Sequence, residues 1–186
     1  MKQFFRALRP ILISFVVLTV ICGLVYPGIV TGIAQAVFPN QANGSIITVT
    51  LKDGTAKEYG SALIAQEFSE PKYLIGRPLG VSNLNPVSAQ EKEAVQERVD
   101  WWHSFDPANA APIPADLVTQ SGSGADPNIS PEAAEYQVAR IADNRGISRE
   151  EVRAVISRYT TGRFLLFWGE PAVNVLKVNL ALDGLL

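Results

Sequence analysis

Between Arg9 and Lys52 the chain carries no Asp, Glu, Lys or Arg, and from Ile11 to Phe38 it reads ILISFVVLTVICGLVYPGIVTGIAQAVF, 28 residues whose only polar members are Ser, Thr and Gln. A helix rises ~1.5 Å per residue and needs about 20 apolar residues to cross ~30 Å of hydrocarbon. The stretch is therefore long enough to span a bilayer. Lys2, Arg6 and Arg9 precede it, and positive charge beside a span stays on the cytoplasmic side. The expected division is a basic cytoplasmic N-terminus over residues 1–10, a transmembrane helix over 11–38 and an extracytoplasmic soluble domain over 39–186. A cleaved signal peptide is the alternative, because Ala34-Gln35-Ala36 has an A-x-A pattern. Apolar character beyond Val25, longer than the ~7 to 15 residues of a signal core, favours a retained anchor.

Within the span, Gly28, Gly32 and Ala36 recur every fourth residue and so share one helix face, with Gly23 nearby. Small residues on one face let a second helix approach closely in lipid. Gly23, Gly28, Gly32 and Ala36 are the expected partner-helix packing positions. Pro27 lacks a backbone donor and clashes with the preceding turn, which predicts a kink near Gly23 or a break into two segments.

The remainder is mildly acidic, with 13 basic against 18 acidic residues after the N-terminal three are set aside. A net charge of −2 gives no electrostatic footprint for nucleic acid. One Cys and one His cannot supply a Cys/His zinc site, an iron–sulfur site or a disulfide framework.

Ser45 to Leu51 and Thr55 to Tyr59, about the turn Lys52-Asp53-Gly54, predict a hairpin. Ser88-Ala-Gln-Glu91 has capping-box spacing and opens a helix that ends by Phe105, with Val95, Val99 and Trp102 inward. A long Pro- and Gly-rich loop from Asp106 to Asn128 follows, of a length that is usually functional. A second helix runs from Ser130 to a stop at Gly146, with Ala134, Val138 and Ile141 buried. A third begins at the Ser148-Arg-Glu-Glu151 box and stops near Gly162. Val173 to Leu182 alternates and reads as a half-buried strand. The soluble part is expected to be one small α/β domain, or α+β.

No catalytic constellation is present. Ser121-Gly-Ser-Gly124 lacks the Lys of a phosphate loop, there is no G-x-S-x-G elbow, and His103 sits beside Trp101 and Trp102 on a helix. Glu170, in a Gly-Glu-Pro turn, is a single carboxylate.

Four blocks carry a resemblance: Gly60-Ser-Ala-Leu-Ile-Ala-Gln66, Ser82-Asn-Leu-Asn-Pro86, the run from Asp116 (DLVTQSGSGADPNISPEAA) to Ala134, and Gly169-Glu-Pro-Ala-Val-Asn-Val-Leu176. The chain resembles, from anchor to C-terminus, the C subunit of the bacterial Kdp potassium-transporting P-type ATPase. It departs at Ala125, Asn128 and Gly80-Val81. The resemblance implies a non-hydrolytic, single-pass accessory subunit that assembles with a channel-like potassium-translocating subunit and an ATP-hydrolysing subunit. The family is described as a catalytic chaperone that raises the ATP affinity of the hydrolytic subunit, with ATP and potassium handled by the complex and no cofactor or metal bound by this subunit itself. Were the domain to touch ATP, Gln137 would be the candidate contact. Candidate interface loops are Ser121, Gly122, Ser123, Gly124 and Asp126, together with Glu170. The rival reading is a stand-alone anchored or secreted periplasmic binding protein or enzyme.

Overall fold

The computed structural model describes residues 2–186, the side chains of residues 2–5 and 7 excepted, so Met1 and the Lys2 side chain of the basic cluster lie outside the described residues. The chain divides into two compact units, one reaching Ile46 and the other running Ile47–Leu186.

The first unit is helical: α1 (Lys2–Val20), a π-helical turn (Ile21–Val25), α2 (Tyr26–Val37) and a short α3 (Pro39–Ala42). Leu8–Val37 is 30 residues long and contains an 18-residue window with a mean hydropathy of 2.4. The disturbance expected from Pro27 is met by the π turn. Pro27 has no N–H for the carbonyl four residues back, and the widened turn around Gly23 lets the Tyr26 N–H bond Ile21 O instead. Beyond the adjacent backbone of the helix itself, a Cβ placed at Gly23, Gly28 or Gly32 meets nothing within 4 Å.

The second unit is a mixed α/β domain. Strands β1 (Ile46–Thr50) and β2 (Ala56–Ser61) form the expected hairpin. The other sheet has three very short antiparallel strands, β3 (Asn128–Ile129), β4 (Thr160–Thr161) and β5 (Ala172–Asn174), with β5 central. Val173 faces Ile129 on one side and Thr160 on the other. The helices are α4 (Ala89–Phe105), α5 (Pro131–Tyr136), α6 (Val138–Arg145), α7 (Arg149–Arg158) and α8 (Val175–Leu182), of which α5 and α8 lie against β5. Trp102, Ile141, Val152, Val173 and Val178 lie at the centre of the core.

Local chemistry explains where the helices start. The Ser88 hydroxyl accepts from Glu91 N at 3.2 Å, and Ser130 does the same for Ala133 N at 3.0 Å. At Ser148 the capping box closes fully: Glu151 N donates to the hydroxyl, and Ser148 N and Oγ donate to the Glu151 carboxylate. Gly146 takes the left-handed conformation (φ 65°) that ends α6.

Three expectations need correction. The helix from Ser130 is two helices, broken at Gln137, whose N–H reaches back only three residues to Ala134 O. The third helix stops at Arg158, short of Gly162. The expected strand Val173–Leu182 is strand only to Asn174 and helix α8 thereafter. Asn174 caps α8 by accepting from Lys177 N at 3.0 Å. Because Val175, Leu176, Val178, Asn179 and Leu180 are all buried, apolar residues occupy most sides of this helix and mimic alternation.

The Ser148 donors hold the Glu151 carboxyl below the ordinary carboxylate value. A depressed folded-state value contributes stability that is present above the unfolded value and lost as pH falls through the folded one. Glu151→Gln is therefore expected to flatten the fall in thermal midpoint of the detergent-solubilised chain as pH drops below about 4, while an unchanged acid slope would contradict the box as its source.

Candidate functional site

The residues from Pro71 to Ile75 join no sheet; Pro71 is exposed, and the chain turns inward to Leu74. Leu74 is fully buried, so its peptide groups need partners other than water. Two side-chain amides supply them. Asn179 accepts from Leu74 N at 2.8 Å and donates to Leu74 O at 2.9 Å. Gln137 accepts from Ile75 N at 2.8 Å and donates to Ile75 O at 3.0 Å. Each amide thus pairs with one residue as a neighbouring strand would.

Two arginines of α6 continue the clamp. Arg140 donates to Pro71 O, to Tyr73 O at 3.1 Å and to Gln137 Oε1 at 2.7 Å. Arg145 donates to Lys72 O at 2.7 Å and Leu182 O at 2.6 Å, and pairs with Asp183 at 2.8 Å. Burial pulls the Arg140 guanidinium down to about 10, opposed by the Asp106 charge, so it stays cationic at neutral pH. It also lies 4.8 Å from the Phe105 ring centre.

A second strap is held the same way. Leu117 O accepts from Trp102 Nε1 at 3.1 Å, Val118 O from Arg98 at 2.9 Å, and Thr119 O and Gln120 O from Arg77 at 3.2 and 3.0 Å. Four successive carbonyls are thus bonded by side chains. Arg77 and Arg98 line a cavity of about 450 Å³ with Trp101, Trp102 and Phe68.

The same strap leads into the candidate loop. Asp116 accepts from Ser130 N at 2.7 Å and from its hydroxyl at 3.2 Å, tying the start of the block to the cap of α5. Ser121 Oγ accepts from Gly124 N at 2.9 Å, Ser123 Oγ from Ala125 N at 3.3 Å, and Asp126 from Asn128 N at 3.0 Å. Gly122 and Ser123 are exposed. Gly124 has φ +69°, and a Cβ there would stand 2.7 Å from the Gly80 carbonyl carbon. Only glycine fits that crossing.

Glu170 lies elsewhere, between β4 and β5, paired with Arg163 at 2.7 Å. Gln137 is fully buried, and all its amide hydrogen bonds are made inside the domain. A nucleotide contact through this side chain would first have to open that network. The sequence reading missed Asn179, Arg140, Arg145, Arg77 and Arg98. Asn179 offered a signal, as a lone amide within the apolar run Val175–Leu182; the arginines offered none, because surface and buried arginines look alike in a helix pattern.

Fold and site together define a class: a small mixed α/β domain carried behind a single N-terminal helix of membrane-crossing length, with its most distinctive sequence block tied into the fold. Comparison with known proteins makes the class particular. The family described as "KdpC: K+-transporting ATPase, c chain" matches residues 8–184. A protein of Listeria monocytogenes named potassium-transporting ATPase KdpC subunit is 53% identical over 188 residues, covering 100% of this chain and 99% of that one. Proteins of the same name from Sorangium cellulosum and Clostridium perfringens are 49% and 46% identical, over 95% and 97% of this chain and 97% and 98% of theirs. The chain belongs to the KdpC family.

Each buried peptide group left unpaired costs about 1–3 kcal/mol, so Asn179→Leu, which orphans both groups of Leu74, is expected to lower unfolding free energy by about 3 kcal/mol. Gln137→Leu should cost at least as much, since it also strips a partner from Arg140. Chemical denaturation of the solubilised chain measures both; a loss below about 1 kcal/mol would show that the clamp is dispensable.

Proposed function

We propose that this chain is the non-hydrolytic accessory subunit of an ATP-driven potassium uptake complex, anchored once in the bacterial inner membrane with the N-terminus cytoplasmic and the α/β domain outside. The observation that carries this reading is the full-length likeness to KdpC subunits, at 46–53% identity from the apolar helix to the C-terminus. The basic residues before the helix support the orientation.

The partners in this reading are a channel-like potassium-translocating subunit and a P-type ATP-hydrolysing subunit. The glycine face supports a helical contact, since Gly28 and Gly32 have open space where a neighbouring backbone can approach. The exposed turn Gly122-Ser123, held by its internal bonds, is a pre-organised loop for a partner outside the membrane. Glu170 is a second such candidate. The domain lies across the membrane from cytosolic ATP, so an effect on ATP affinity passes through assembly. Gln137 takes part by keeping the domain folded.

Affinity purification of the tagged chain from membranes is expected to recover two larger membrane subunits in stoichiometric amount. Gly32→Leu should reduce that recovery several-fold, because a branched side chain holds the helices apart. Undiminished recovery would contradict the helix contact. A solitary chain with its own ligand or turnover would favour the stand-alone binding protein or enzyme. As a catalytic chaperone, the chain lowers the KM of the complex for ATP; an equal KM with and without it would contradict that role.

A further inference from the structure

Between β4 and β5 the chain makes a small hairpin whose apolar tip the roles above, which involve only Glu170 at its neck, leave unexplained. Phe164 N donates to Trp168 O at 2.8 Å and Trp168 N to Phe164 O at 2.9 Å, closing a turn of Leu165, Leu166 and Phe167. The Arg163–Glu170 ion pair spans its neck at 2.7 Å. Phe164, Leu165, Leu166, Phe167 and Trp168 are 71%, 64%, 90%, 70% and 69% exposed, five successive large apolar side chains that the domain does not cover. Soluble surfaces seldom keep such a contiguous run.

The turn itself is chemically unusual. Leu165 and Leu166 have φ of 51° and 70°, a conformation that tight hairpins ordinarily give to Gly, Asn or Asp. Local turn chemistry would place polar residues here.

Charge identifies the occupant. From Ile156 to Leu182 the chain has Arg158, Arg163 and Lys177 but a single acid, Glu170, although the soluble part as a whole is acidic. Arg158 and Lys177 line a shallow cavity of about 450 Å³ beside β4 and β5, together with the exposed Leu63. Aromatic and aliphatic side chains at a tip, with cations behind them, match the acyl boundary and headgroups of an anionic bilayer. The link from Phe38 to Ser45 spans at most about 28 Å when extended, so the domain is held at high effective concentration near the membrane that its helix enters.

We propose that the Phe164–Trp168 hairpin inserts into the headgroup region of the anionic bilayer that carries the N-terminal helix, giving the α/β domain a second point of membrane attachment. This goes beyond subunit assembly and rests on the reading that Leu8–Val37 spans a membrane.

The test uses the full chain with Cys22→Ser, reconstituted in phosphatidylglycerol/phosphatidylcholine vesicles. An environment-sensitive fluorophore is placed at Leu166→Cys or, as the control, at exposed Ala108→Cys. Leu166 is 90% exposed, so its replacement removes little packing. The expected result is a blue-shifted label at 166, quenched by shallow spin-labelled lipid at least about threefold more than the label at 108. Omitting phosphatidylglycerol, or combining Arg158→Gln with Lys177→Gln, should weaken that quenching. Equal quenching at both positions overturns the proposal. So does shielding of 166 that arises only when the ATPase subunits are co-reconstituted, which makes a protein the occupant. A chain washed from the vesicles by alkaline carbonate overturns the span reading and the proposal with it; a chain that stays but leaves 166 in water overturns the proposal alone.

Discussion

A peptide segment that passes through a protein interior must have its N–H and C=O groups bonded, and here that requirement is met by side chains instead of a sheet. Leu74 and Ile75 sit between Asn179 of α8 and Gln137 at the α5–α6 junction, each amide bonding both groups of one residue. The three-stranded sheet is too small to organise the domain; its longest strand has three residues. The clamp joins α6, α8 and the crossing segment instead. This gives the break at Gln137 its meaning: ending α5 one residue early turns the Gln137 side chain to the segment while its carbonyl still starts α6 through Ile141 N.

The second strap extends the same solution to the most distinctive block of the sequence. Ser121, Ser123 and Asp126 hold backbone N–H groups two or three residues ahead, Asp116 holds Ser130 N, and Gly124 permits a crossing against Gly80 that no other residue fits. A surface that binds without reorganising keeps its shape before any partner arrives. Fixing a loop by many side-chain bonds is one way to provide it. Likeness along the whole chain to KdpC subunits fits a domain in which most of the sequence maintains such a body.

Legibility in the sequence followed the range of the forces. The apolar helix, the hairpin about Asp53-Gly54, the helix starts at Ser88, Ser130 and Ser148 and the stop at Gly146 were readable because each is written in adjacent residues. A disturbance near Gly23 was readable from Pro27, as a kink or a break; that it takes the form of a π turn was not. The C-terminal helix was misread because its burial on most sides erased the period that separates helix from strand, and the Asn174 cap was overlooked. The clamps were invisible: their partners lie 105 residues apart for Asn179 and Leu74, and 62 for Gln137 and Ile75. Candidate loop residues were found by type, but their bonding into the strap required the fold.

Hydrogen exchange of the folded, solubilised chain measures the central interaction most directly. If the amides of Leu74 and Ile75 are held by Asn179 and Gln137, they exchange only with global unfolding, as slowly as the amides of α6. Exchange at the rate of the exposed Gly122 turn would contradict a segment locked by side chains.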